Sequence, residues 1–192
     1  QTTSDCVKKL SWRLGYTYTQ HEPRISAKAK PKMPYDLIHV RGSKKILQQK
    51  KMKKDLTETL EYIDHALYEA PNRGELLKQA LDEMGWRQKE TLTILEGRGY
   101  RLKGCKNQIA IEGSFSAYEF ILEGMIRLQL TFDRGEIQVG VLLLTSLRSE
   151  KSRFGSTREL CEHEVENLLH PTISLPVCVA LYDLGEPRRE TK

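Results

Sequence analysis

The sequence predicts an α/β fold, with one mixed central sheet flanked by helices in a single domain. Two observations carry this reading. Residues 108–112 and 137–144 are short, strongly apolar runs, and between them lies a stretch with helical periodicity at 119–132. A strand, a crossover helix and a second strand make a βαβ unit. Outside that unit, short apolar runs again alternate with amphipathic helical patterns, which is the signature of a layered α/β domain.

Taken in order, residues 1–34 form a basic N-terminal extension with little apolar periodicity. Lys8, Lys9, Arg13, Arg24, Lys28, Lys30 and Lys32 are interleaved there with Trp12, Tyr16 and Tyr18. Such a mixture can line a phosphate backbone and stack on bases, but charge runs usually mean a wet surface, and a solvated tail pinned by Trp12 is the default reading. The domain itself is expected over 35–185, and a charged tail over 186–192.

Residues 35–40 read as an edge strand, broken by Gly42. Ser43 is placed to cap a short helix through Leu47. A helix opened by Asp55 follows, with Leu56, Leu60, Ile63 and Leu67 on one face. Pro71, Asn72 and Gly74 end it. A second helix spans 75–84 and stops at Gly85-Trp86. Residues 90–95 fit a strand or a helix remnant, and 97–99 a turn. Residues 103–107 read as the loop of a hairpin between 100–102 and 108–112. Beyond the crossover helix, Asp133-Arg134-Gly135 is a terminator. Residues 147–155 make a polar, basic loop, 158–169 a helix, and 175–181 a last apolar strand.

At 192 residues the chain is long enough for a sizeable core. Its 31 Lys and Arg against 26 Asp and Glu leave a net charge of +5, which favours an acidic partner, nucleic acid first. The basic run Lys44, Lys45, Lys50, Lys51, Lys53 and Lys54, with Arg148, Lys151 and Arg153, forms the candidate DNA-binding set. The four cysteines, Cys6, Cys105, Cys161 and Cys178, are widely scattered. That spacing suggests neither a zinc ribbon nor a disulfide framework, and a reducing cytoplasm is the expected home. No apolar run reaches membrane-spanning length. The first residues do not read as a signal peptide. The chain opens on Gln1 and not on a methionine, which suggests that the numbering does not start at the natural terminus. Neither a Walker lysine motif nor a G-x-G-x-x-G loop occurs, which argues against ATP- or NAD-dependent chemistry. Cys161, His163 and His170 sketch a weak zinc set, and His39 and His65 read as structural.

Residue Glu112 matters most, because a carboxylate ending a buried strand is costly unless paired, hydrated or bound to a metal. The stretch Ile109-Ala-Ile-Glu-Gly-Ser-Phe-Ser-Ala-Tyr-Glu-Phe-Ile-Leu122 resembles the core of restriction endonucleases of the BglII/BamHI kind, within the PD-(D/E)xK nuclease superfamily. Residues 43–47, 54–60, 81–86 and 137–141 are similar to further elements of that family, in the same order. The resemblance covers roughly 35–185. It implies a restriction-endonuclease-like fold, duplex DNA as partner, Mg²⁺ as cofactor and a homodimer.

In that family an Asp and a Glu hold Mg²⁺, and a third group two residues after the Glu orients the attacking water. Residues i and i+2 of a strand face the same side, so Glu112 and Ser114 would share the cleft. Glu112 matches the family's metal-binding Glu. Ser114 stands where Lys, Glu or Gln is expected, and Lys103 where the metal-binding Asp is expected. Three readings of Glu112 therefore stay open. It is a metal ligand in an active nuclease that recruits Glu58 or Glu119, a relic paired with Lys103 in a fold that has lost or impaired hydrolysis, or a structural ion pair in an unrelated domain. The expected function is DNA binding by a nuclease-like domain with impaired cleavage; the alternative is an active Mg²⁺-dependent type II restriction endonuclease.

Overall fold

The computed structural model describes residues 35–88, 92–95, 97–113, 115, 121–146, 157–168 and 171–188. The N-terminal extension, Ser114, Glu119, Phe120, and the loop carrying Arg148, Lys151 and Arg153 lie outside the described residues.

Five strands, β1 (Tyr35–Val40), β2 (Gly104–Lys106), β3 (Ile109–Gly113), β4 (Val139–Thr145) and β5 (Val177–Tyr182), form one sheet in the order β1-β5-β4-β3-β2. The centre is parallel, β3 with β4 and β4 with β5, and both edge strands run antiparallel. β3 and β4 are thus adjacent parallel strands joined by a helix, the βαβ unit expected from the sequence. The sheet is mixed and flanked by helices, an architecture of the restriction-endonuclease-like α/β type.

Side-chain alternation divides the core into two layers. Ile109, Ile111, Val139, Val141, Leu143, Cys178 and Ala180 face α1 (Ser43–Gln49), α2 (Lys53–Leu67) and α3 (Arg73–Glu83). Ala110, Leu142, Leu144, Val177, Val179 and Leu181 face α4 (Ile121–Asp133), and α5 (Thr157–His163), which continues as a π-helical turn Glu164–Leu168. Both faces are covered, which is why β4 and β5 read as unbroken apolar runs instead of alternating. The expected face of α2, Leu56, Leu60, Ile63 and Leu67, is wholly buried.

Several boundaries differ from expectation, each for a local reason. Ser43 does not cap α1. The preceding Gly42 is the N-cap residue, in the left-handed region at φ 76, and makes no side-chain cap bond; buried Ser43 instead shares a 3.1 Å hydrogen bond with His39 Nδ1. Residues 104–106 are strand β2, not hairpin loop. Cys105 turns into the core opposite Ala110, and the turn is only Asn107 and Gln108, both at positive φ. Two such residues match the right-handed twist of the flanking strands. The end of α3 is as expected: Gly85 adopts φ 77, and its N–H and that of Trp86 donate to the carbonyls of Asp82 and Leu81. Trp86 is then fully buried, donating its indole N–H to Thr59 Oγ1 at 2.9 Å.

Residue Asp64, on α2, has a buried Oδ1 without a hydrogen-bond partner among the described residues. Burial, reinforced by Asp183 and opposed by His65, pushes its pKa from 3.8 up to about 6. A raised pKa means the folded state binds the proton more tightly. The stability this group contributes is therefore full below about pH 4 and is lost as pH rises through 6. After discounting for its half-open position, the loss is about 1 kcal/mol. Urea unfolding at both ends of that window should show the wild type losing this much relative to Asp64→Asn. Equal pH dependence in the two proteins would rule the assignment out.

Candidate active site

The crossover helix decides what surrounds Glu112. In β3, Glu112 is in phase with Ala110, so its carboxylate points to the α4 face. Gly124 brings α4 close to the sheet there. A Cβ at this position would stand 2.5 Å from Leu142 Cδ1, and Leu142 is the register partner of Glu112 on β4. Arg127, one turn further along α4, consequently reaches the strand.

Glu112 is only 2 % exposed, and its carboxylate is engaged at both oxygens. Oε1 accepts the backbone N–H of Lys103 at 3.1 Å, and Oε2 accepts that of Gly113 at 3.3 Å. The guanidinium of Arg127 lies 3.6 Å from Oε2 and reaches Glu123 Oε1 at 2.5 Å with its other terminal nitrogen. Burial raises the pKa of Glu112. Arg127, the Gly113 N–H, the Lys103 charge and the Lys103 N–H pull it the other way.

Lys103 is the partner expected for Glu112. Lys103 binds Glu112 through its peptide N–H, and the close cation is Arg127. The Lys103 peptide is fixed from its other side too, because its carbonyl accepts Arg87 Nη1 at 2.7 Å. The ammonium of Lys103 adds charge at longer range. Sequence spacing does not single out Arg127; the only signal is its i,i+4 pairing with Glu123 on a helical pattern.

Gly113 continues the constraint. Its φ of 103 is open to glycine and strained for other residues, and a Cβ there would stand 2.2 Å from Leu143 O. Beyond it, Phe115 packs edge-on against Tyr182 at 5.3 Å, and Tyr182 donates its hydroxyl to Leu60 O.

Other candidates are dispersed. Glu58 sits on α2, across the sheet from Glu112, and pairs with Lys54 at 3.8 Å. Lys44, Lys45, Lys51, Lys53 and Lys54 are exposed. Lys50 is not free, since its Nζ donates to Gln108 Oε1 at 2.9 Å. Gln108 precedes β3, so this lysine turn lies at the amino ends of the parallel strands, whereas Glu112 lies near their carboxyl ends. α2 starts at the lysines and runs about 22 Å toward the other end. Lys51, Lys53 and Lys54 border an open groove of about 580 Å³ that Glu58 and Glu61 also line.

Of the zinc sketch, His170 lies outside the described residues. Cys161 is buried, and its thiol is pushed up to about 12 by burial, whereas His163 is exposed. Among the described residues no three His, Cys, Asp or Glu side chains gather to hold a metal. Cys105, Cys161 and Cys178 are all buried.

A family model described as restriction endonuclease BglII/BglIII matches residues 35–180. The chain belongs to the BglII/BglIII restriction endonuclease family. No curated protein matches it. Membership makes residues 35–180 a nuclease-like, DNA-binding domain of a restriction-modification family. Among the described residues, no helix is long and apolar enough to cross a membrane.

Restriction endonucleases of this family generally use Mg²⁺. The described donor set does not fit that ion. Mg²⁺ takes oxygen ligands, usually carboxylates and waters in octahedral array. Here one buried carboxylate has both oxygens occupied by N–H donors, with a guanidinium beside it and a lysine nearby.

Proposed function

We propose that this member of the BglII/BglIII family binds duplex DNA through a nuclease fold and hydrolyses it poorly or not at all. The observation that carries this is the setting of Glu112, whose oxygens accept two peptide N–H groups and whose Oε2 has the Arg127 guanidinium 3.6 Å away. Lys103, at the position the family gives to an Asp, adds a second positive charge where a cation would have to enter.

DNA binding would rest on Lys44, Lys45, Lys51, Lys53 and Lys54, with Arg148, Lys151 and Arg153 from the later basic loop. Lys50 is better read as the pin that holds the β2–β3 turn to the end of α1. Phosphate contacts carry no sequence information, so these residues would position the duplex without selecting a site. Contact with about six phosphates gives a slope of log K against log salt of roughly −5. Fluorescence anisotropy with short duplexes across a salt series measures it. Lys51→Glu, Lys53→Glu and Lys54→Glu together should weaken binding to all sequences alike and flatten the slope. A slope near zero in the wild type would sink the DNA-binding reading.

A homodimer suits the same reading. Leu122, Ile126 and Leu130 lie at helical spacing on α4 and are 48 %, 43 % and 43 % exposed, an apolar stripe that a two-fold partner would cover. The cytoplasm is the proposed location.

The rival is an active Mg²⁺-dependent type II endonuclease. Family membership and the position of Glu112 beside the carboxyl end of β3 favour it. It needs a second carboxylate in the pocket. Glu58 is on the wrong face of the sheet, which leaves Glu123, or Glu119 outside the described residues.

A further inference from the structure

We propose that the lysine turn at the amino ends of the parallel strands holds a duplex of its own, apart from the Glu112 end, so that one molecule bridges two segments of DNA. The inference rests on the reading that this chain binds duplex DNA, and it goes further by dividing that binding between the two ends of the sheet.

Three observations support it. The first is position. Lys50 donates to Gln108 Oε1, which also accepts Gln138 Nε2 at 3.0 Å, and Asn107 Nδ2 lies 3.1 Å from Met52 Sδ. These contacts clamp residues 50–52 to the starts of β3 and β4. Glu112 lies about 13 Å further along β3. The far end of α2 is tied to the carboxyl end of the sheet, where the Glu69 N–H donates to Leu184 O at 2.7 Å. Lys103 and Arg127 supply separate positive charge beside Glu112. Second, the charges of the turn are uncompensated. Among the described residues Lys44, Lys45, Lys51 and Lys53 form no ion pair, and Lys54 has only Glu58 at 3.8 Å. Lys44 and Lys53 converge, since the charges of both bear on His39. Third, these lysines stand where they cost stability. α1 ends in a Schellman turn, in which the Met52 N–H donates to Leu47 O and the Lys51 N–H to Gln48 O, both at 3.0 Å. The left-handed residue of such a turn is most often glycine; here it is Lys51, at φ 57. Lys53 and Lys54 then open α2, where the helix dipole disfavours positive charge. Strain kept at an exposed, clamped turn points to function, and in a DNA-binding family the polyanion that fits a row of cations is a duplex backbone.

The test immobilises a short biotinylated duplex, saturates it with the full chain, and measures capture of a second, fluorescent duplex. The wild type should capture it at low salt. Lys44→Glu, Lys51→Glu and Lys53→Glu together should cut capture by roughly tenfold or more, while anisotropy still shows one duplex bound, now through the Glu112 end. Lys51→Gly separates this from a structural role. It relieves the backbone, so Tm should rise by roughly 2–4 °C. Capture should nonetheless fall, and the salt slope should shrink by about 1. No capture by the wild type would overturn the proposal. So would capture that persists in the triple variant, because both duplexes would then be held elsewhere, as in a dimer with two Glu112 ends. Loss of all duplex binding in the triple variant would overturn it too, by making the lysine turn the sole surface. Capture of phosphatidylserine vesicles in place of a second duplex would do the same. These results leave the DNA-binding reading standing; only a wild type that binds no duplex at all removes that reading as well.

Discussion

Gly113→Ala should be the most damaging single-methyl change in the sheet. A methyl group at this position stands 2.2 Å from the carbonyl oxygen of Leu143 and 2.8 Å from its nitrogen. Both are backbone atoms of the central strand β4, which has β3 on one side and β5 on the other and cannot retreat. The φ of 103 adds strain for any residue with a Cβ. The expected cost is roughly 4 kcal/mol, a fall in Tm on the order of 10 °C. Gly135→Ala is the control. It has a positive φ of 72 as well, but nothing within 4 Å, so only the conformational cost of about 1 kcal/mol remains. Calorimetry on both proteins separates steric from conformational effects. Equal losses would mean that the close approach of β3 and β4 at Gly113 is misjudged.

The same glycine ties stability to the site. Its N–H is one of the two peptide donors on Glu112. Any variant that moves residue 113 away from Leu143 also releases Oε2, and with it one of the contacts that lower the Glu112 pKa against the effect of burial.

How much of this is legible in the sequence depends on how local the cause is. The βαβ unit is readable because β4 is apolar on both faces and α4 has a clear periodic stripe. The α2 face and the Gly85 stop are readable for the same reason. β2 is not, because Gly104, Cys105 and Lys106 have no strand signature of their own. Their pairing is dictated by β3, by Trp86 packed over Gly104, and by Lys106 reaching Asp55 at 2.8 Å. Ser43 looks like a cap because residue type alone cannot reveal that His39, four residues earlier, takes its hydroxyl.

The site divides in the same way. Glu112 is conspicuous in sequence, as a charged residue ending a buried strand. Its partner is not. Charge arithmetic and the family pattern both point to Lys103, which is also nearer along the chain than Arg127. Only the packing of α4 on β4 at Gly124 selects Arg127. The lysine run is equally plain in sequence, yet nothing there shows that it lies at the amino ends of the strands, away from Glu112. Local composition identifies charged groups; which end of a sheet they reach is a property of topology.

If the setting of Glu112 does not support hydrolysis, plasmid DNA will show it directly. The measurement is nicking of supercoiled plasmid with Mg²⁺ and with Mn²⁺, run on the wild type and on Glu112→Ala, with DNA binding by both proteins checked in parallel. One carboxylate alone holds Mg²⁺ weakly, so plasmid should stay supercoiled with both proteins, while both still bind duplex. Lys103→Asp, which exchanges a cation for a carboxylate next to Glu112, is the variant expected to gain metal-dependent nicking, more so with Ser114→Gln or Ser114→Lys added. Robust cleavage by the wild type that disappears in Glu112→Ala would contradict this and establish an active metal-dependent endonuclease.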